Sequence, residues 1–224
     1  MSLQGKTVTL VCLANSWKHH ERCVAGKIWG GEWGGQWVRP VGAAPTGELT
    51  LRERSIEGRD PKLLDLIEVK LGSAAPHSCH REDYRVVAGV PWVSRGRAGV
   101  QEVAAMCDPV DSLWVNGIHP QNDRMPKALA DAQPASLRLI RVEQPIWSWR
   151  MFADKPKPRL VFTHAGDRYD LSVTDPEAVR LEPAHAEPRT LEGSYLLCIS
   201  VGEPFHDEMY KLVAGMLRLP EEGR

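Results

Sequence analysis

The chain has 224 residues, room for one large or two small domains, with the apolar share of an ordinary packed protein. Its formal net charge of −1 excludes a non-specific polyanion binder working through a bulk basic excess, so any nucleic-acid site must be a local patch. MSLQGKTVTL lacks a charged-then-apolar leader, no apolar run approaches a membrane span, and five scattered cysteines argue for reduced thiols rather than a disulfide framework; the expected setting is the cytoplasm, without membrane attachment.

Lys6–Ala14, KTVTLVCLA, is β-branched and apolar and reads as a core strand. Asn15–Arg22 reads as a long, cationic and aromatic hairpin loop, and Cys23–Trp29 as the returning strand. GGEWGGQW follows, with Trp29, Trp33 and Trp37 at a spacing of four. Its four glycines make a helix improbable, so it is expected to form an aromatic turn leading into the strand WVRPV. Residues 43–62 are rich in Gly, Pro and charge, with at most a short helix near Leu49–Arg54. Two further strands then close a first domain over residues 1–94.

Residues 95–134 read as a connector, with short helices at Val100–Cys107 and Met125–Ala132 around the turn-rich LWVNGIHPQNDR. A second domain, 135–224, opens on SLRLIRV in the place of TVTLVCL. IWSWRMF alternates as a strand, Arg159–Thr163 follows, and RYDLSV takes the position of WVRPV. Asp175-Pro176 provides an N-cap and first-turn proline for a short helix.

The two domains share an internal echo. Val69-Lys70-Leu71-Gly72 falls on Ile199-Ser200-Val201-Gly202, Pro76 on Pro204, and Tyr84–Gly89 on Tyr210–Gly215. In each copy an apolar strand meets a Gly/Pro turn and a second apolar strand returns. The spacing of roughly 130 residues is too long for a solenoid and indicates a duplicated β domain. Five short strands with an interruption after the third fit a small barrel of the oligonucleotide/oligosaccharide-binding (OB) type, though an SH3-like barrel or half a sandwich gives a similar string. The expected fold is all-β: two tandem OB-like barrels joined by a short helical connector.

The phrases TLVCLANSWK, RCVAG, WVRP, NDRMP, LSVTDP and YLLCISVGEPF…YKLVAG together resemble the dual OB-containing domain family of bacterial proteins, associated with prokaryotic conflict and defence settings. The resemblance spans nearly the whole chain and implies recognition of a nucleic acid or nucleotide. One departure stands out: WGGEWGGQW is longer and richer in Gly and Trp than a plain turn before WVRP.

Asn15, Ser16, Trp17, Lys18 and Arg22 combine donors, cations and an aromatic ring where the first OB hairpin borders the ligand face. Phosphates need cations and donors, and bases need flat rings. Residues 1–40 carry five Lys/Arg against two Asp/Glu. The competing reading is a solvated hairpin tip. Trp33 and Arg39 are expected on the ligand face, with Trp37 in the core. Arg85 is grouped with them, and Ser172 and Lys211 of the second domain join by pseudo-symmetry with Arg39 and Arg85. His77, Cys79 and His80 offer metal-ligand types without CxxC or HxxxH spacing, which leaves metal binding there open and no metal or cofactor expected. GGEWGG lacks the GK[ST] ending of a phosphate-binding loop, and no HExxH or GxSxG occurs. The expected role is therefore non-catalytic binding of single-stranded nucleic acid or a nucleotide, as a sensor or adaptor. The alternatives are a protein-interaction module, with a partner from a neighbouring gene, and an enzyme acting on a nucleotide.

Overall fold

A computed structural model describes residues 2–181 and 187–220; Met1, residues 182–186 and the expected end of the second barrel at 221–224 lie outside the described residues. The chain divides into two compact units, Met1–Val103 and Ala104–Arg224.

The first unit contains β1 (Thr7–Lys18), β2 (Glu21–Ile28), β3 (Trp37–Val41), α1 (Leu51–Arg54), β4 (Asp65–Ala74), β5 (Asp83–Val86) and β6 (Val93–Arg97). The strand order β1-β2-β3-β5-β4 returns on itself because β1 also pairs with β4, giving a closed five-stranded barrel. β3 and β5 run parallel and the other barrel pairs antiparallel. With its helical turn between the third and fourth strands, this is the OB connectivity. Period-two alternation drives it: Ile67, Val69 and Leu71 of β4 point inward to meet Val8, Leu10 and Cys12 of β1 and Val24 and Ile28 of β2.

β1 serves two ladders by bending. Its first half pairs with β4 and its second with β2. A bulge between Cys12 and Ala14 opens the turn, and Gly26 faces it, where an added Cβ would lie 2.1 Å from the Val11 carbonyl oxygen. The expected eight-residue loop Asn15–Arg22 is instead a continuation of this ladder, with Asn15 opposite Val24, Ser16 opposite Cys23 and Trp17 opposite Arg22. Only His19-His20 form the tip. Backbone pairing carries polar residues into a projecting hairpin, which the search for apolar alternation does not register.

α2 (Val100–Ala104) straddles the division between the units. The second unit continues with β7 (Arg124–Pro126), α3 (Lys127–Asp131), β8 (Leu137–Glu143), β9 (Ile146–Phe152), β10 (Lys155–His164), β11 (Asp167–Val173), α4 (Pro176–Leu181), β12 (Arg189–Thr190), β13 (Ser194–Phe205) and β14 (Glu208–Arg218). Its main path is β9-β10-β11-β14-β13-β8, with β12 beside β9 and β7 beside β14. β8 and β9 are two halves of one first strand, broken at Gln144-Pro145, so the path has the order of the first barrel. β11 and β14 run parallel, like β3 and β5. The echo also shows in detail: the fourth strand of each barrel shifts register just past the matched glycine, between Leu71 and Ala74 and between Val201 and Pro204. Asp175 caps α4, its Oδ1 accepting from the Glu177 and Ala178 amides.

The stretch 95–134 holds α2 and α3 but also strand: most of β6, which lies on β4, and β7, which lies on β14. The described helices are four to six residues long, and no described helix is long and apolar enough to cross a membrane. The fold is all-β.

Candidate functional site

At the tip of the β1–β2 hairpin Trp17 is 54% exposed. The Arg22 guanidinium, directly across the ladder, lies 3.7 Å from the centroid of its ring, a cation–π stack. The base of the tip is anchored. Lys18 donates to the Thr46 carbonyl, and Glu21 pairs with buried Arg54, which also binds Asp60 and the Leu49 carbonyl. Arg54 closes α1, whose Thr50–Glu53 capping box fixes its start. Asn15 and Ser16 point elsewhere: Asn15 donates to the Pro61 carbonyl at 2.7 Å, and Ser16 is buried.

Arg39 does not reach a solvent-facing ligand surface. It is 5% exposed, with its Nε 2.7 Å from Asp83 on the parallel neighbour β5 and its Nη2 3.8 Å from Glu82. The parallel register sets Arg39 directly beside Asp83, and a buried guanidinium needs such partners. Burial pushes Asp83 up to about 6 although Arg39 pulls it down. Burial also works against the charged Arg39, but the carboxylates of Asp83 and Glu82 outweigh it and hold the guanidinium ionised. Cys23 and Cys79 flank this centre as protonated thiols: burial raises both, Cys79 to about 11 with the Glu82 charge adding to the effect. In the same loop the His80 amide donates to the His77 carbonyl, with His77 exposed and His80 buried.

Trp33 is half-buried against the first core, with the Lys6 ammonium 5.5 Å from its ring centroid. Trp37 is half-buried beside Lys27. Arg85 donates to the Gly42 carbonyl and braces the loop after β3.

In the second barrel Lys211 is 1% exposed. Its Nζ donates to the Val115 carbonyl at 2.8 Å and to Asn116 Oδ1 at 2.7 Å, above the Tyr169 ring. Asn116 in turn donates to Asp167 and to the Tyr169 hydroxyl. Burial lowers Lys211 to about 8 against the pull of Asp123 and Asp167. Ser172 accepts from Arg159, itself paired with Asp170 and Asp123. Lys211 and Ser172 thus belong to polar networks that tie the 108–124 segment to the barrel. The residues expected together as a site do not converge: Trp17, Arg22 and Lys18 share the hairpin tip, while Ser16, Arg39 and Lys211 are interior.

Exposed aromatic and basic side chains that residue reading passed over lie on the second barrel. Phe152 is 67% exposed at the β9–β10 tip and Phe205 57% exposed at the β13–β14 tip. The signal for the first was present in RMFADKPKPR, a cation-rich hairpin.

Two five-strand barrels of this order, each with loops bordering a potential ligand face, define a tandem OB protein. The match to known sequences agrees: residues 8–216 match the dual OB-containing domain, and the chain belongs to that family. No match to a curated protein was found. Among solved structures, the tetrameric p202 HIN2 aligns with 97% of this chain and 94% of its own, at 6% identity and a TM-score of 0.34.

Proposed function

We propose that this protein binds single-stranded nucleic acid or a nucleotide without transforming it, with the β1–β2 tip of the first barrel as the contact. The observation that supports this is the exposed Trp17 ring with Arg22 stacked on it, at the hairpin that borders the ligand face of OB folds. A base stacks on the open indole, and the guanidinium beside it meets the phosphate. Lys18, tied to the Thr46 carbonyl, adds positive charge at the tip. In this reading the chain is a sensor or adaptor of a bacterial defence system, and a partner from a neighbouring gene carries any catalytic step.

Tryptophan fluorescence during titration with oligo-dT and oligo-U, at low and moderate salt, tests the binding. Saturable quenching that weakens as salt rises, and that Trp17→Ala removes, is the expected result. Absence of quenching with oligonucleotides and mononucleotides at micromolar concentrations overturns it. Capture of a protein partner with little salt dependence would instead favour the adaptor role by apolar docking.

A further inference from the structure

The β9–β10 ladder sorts its side chains onto two faces. Lys155 is opposite Phe152, Lys157 opposite Arg150 and Arg159 opposite Ser148, so these six share one face. The other face carries Trp147, Trp149 and Leu160, which are buried or half-buried, and is the inner one. The outer face ends at the tip in Phe152 and carries exposed Arg150, Lys155 and Lys157. Toward β11 this face closes over, because Arg159 and Asp170 are buried and tied to Asp123 of the 108–124 segment, so its exposed part is the projecting hairpin.

Asp170 on this face is already committed, and Asp154 lies in the turn itself. One carboxylate oxygen of Asp170 accepts from Arg159 at 2.7 Å and the other from Arg150 at 2.6 Å. Neither Lys155 nor Lys157 enters an ion pair among the described residues. A strand sets alternate side chains about 6.6 Å apart, so the two lysines form a row along the hairpin, with an aromatic ring at its end. β9 and β10 are the first and second strands of this barrel, so their tip is the loop that borders the oligonucleotide face of OB folds, and cations in a row with a ring for stacking are what an extended strand requires.

We propose that the outer β9–β10 face of the second barrel is a separate contact surface for single-stranded nucleic acid, with Lys155 and Lys157 meeting successive phosphates and Phe152 stacking a base. It rests on the same class of ligand as the reading above but on different residues in the other barrel.

The test is fluorescence anisotropy of labelled oligo-dT with the full chain across a salt series. Lys155→Ala/Lys157→Ala is expected to weaken binding and to flatten the slope of log affinity against log salt by about 1.4, the contribution of two phosphates of a single strand. Lys155→Arg/Lys157→Arg retains the slope. Phe152→Ala is expected to lower affinity about 5- to 160-fold with the slope unchanged, and to leave the inhibition constant of inorganic polyphosphate unaltered, which separates a nucleic acid from any polyanion. All three sites are exposed, so thermal melts should match the parent chain. Unchanged affinity and slope in the lysine and Phe152 variants, with Trp17→Ala still weakening binding, overturns this inference and leaves the first-barrel reading standing. Loss of binding in the second-barrel variants with none in Trp17→Ala does the reverse. No binding by the parent chain overturns both.

Discussion

Trp17 and Trp33 are both placed among polar or glycine neighbours, yet they answer to different forces. Trp17 projects from a hairpin with a guanidinium for its neighbour, so Trp17→Ala should change stability by no more than about 0.5 kcal/mol while removing most ligand-induced quenching. Trp33 packs against the first core. Trp33→Ala should cost roughly 1–3 kcal/mol, less than a fully buried tryptophan, read as a lower urea midpoint at unchanged slope. Lys211 sets a pH signature. Its folded value of about 8 lies below that of an ordinary lysine, near 10.4 in the unfolded chain. Between these values the unfolded chain holds more protons, so this group's contribution to stability is least below pH 8 and grows as the pH rises toward 10.4. Urea midpoints at pH 7.5 and 10 should show the parent chain gaining on Lys211→Met by on the order of 1–3 kcal/mol. An equal change in both proteins would mean that Lys211 does not titrate there.

Among the elements, the bent first strand of barrel one depends on Gly26. Any side chain there drives a Cβ into the Val11 carbonyl, a backbone atom that cannot swing aside, and Gly26→Ala should destabilise by about 3 kcal/mol as seen in thermal unfolding. The β9–β10 tip is open to the opposite change. Ala153 and Asp154 both adopt positive φ, 45° and 61°, the pair of conformations that a two-residue type I′ turn requires and that Asn-Gly fills at least cost. Ala153→Asn/Asp154→Gly should raise the melting temperature by roughly 4 °C, given about 1 kcal/mol of relieved strain. It should also strengthen oligonucleotide binding slightly by removing an acid beside Phe152. The fourth and fifth strands of each barrel were legible in the sequence because apolar runs there are punctuated by Gly and Pro. β6 and β7 were not: VSRGR and RMP carry no alternation, and they are strands because β4 and β14 offer them free flanks.

At the scale of the whole molecule, the two-barrel fold could be read from the echo of residues 67–90 in 197–216, since a repeated strand–turn–strand is local. The candidate site was harder to read. That Arg39 would face Asp83 follows from parallel pairing of strands 44 residues apart, and that Asn116 would wait for Lys211 follows from a contact across 95 residues; neither leaves a trace in local composition. The first hairpin was legible as aromatic and basic, but the tips of the second barrel and the division between exposed and interior cations were not. If the compact units are folding units, residues 1–103 and 104–224 expressed separately should each melt cooperatively with strand-rich circular dichroism. A single fragment without a transition would show that folding of that barrel depends on the remainder of the chain.

The closure of the first barrel has a consequence for biosynthesis. β1 emerges from the ribosome well before the strand that closes its barrel, bearing Val8 and the apolar run Leu10–Ala14: its partner β4 lies about 60 residues later, with Thr7 paired to Lys70. At roughly 5–20 residues per second, β1 spends about 3–12 s with only β2 to pair with. The hairpin that carries Trp17 is thus the first native structure this barrel can form. It must shield an open apolar edge by itself until translation delivers the strand that seals it.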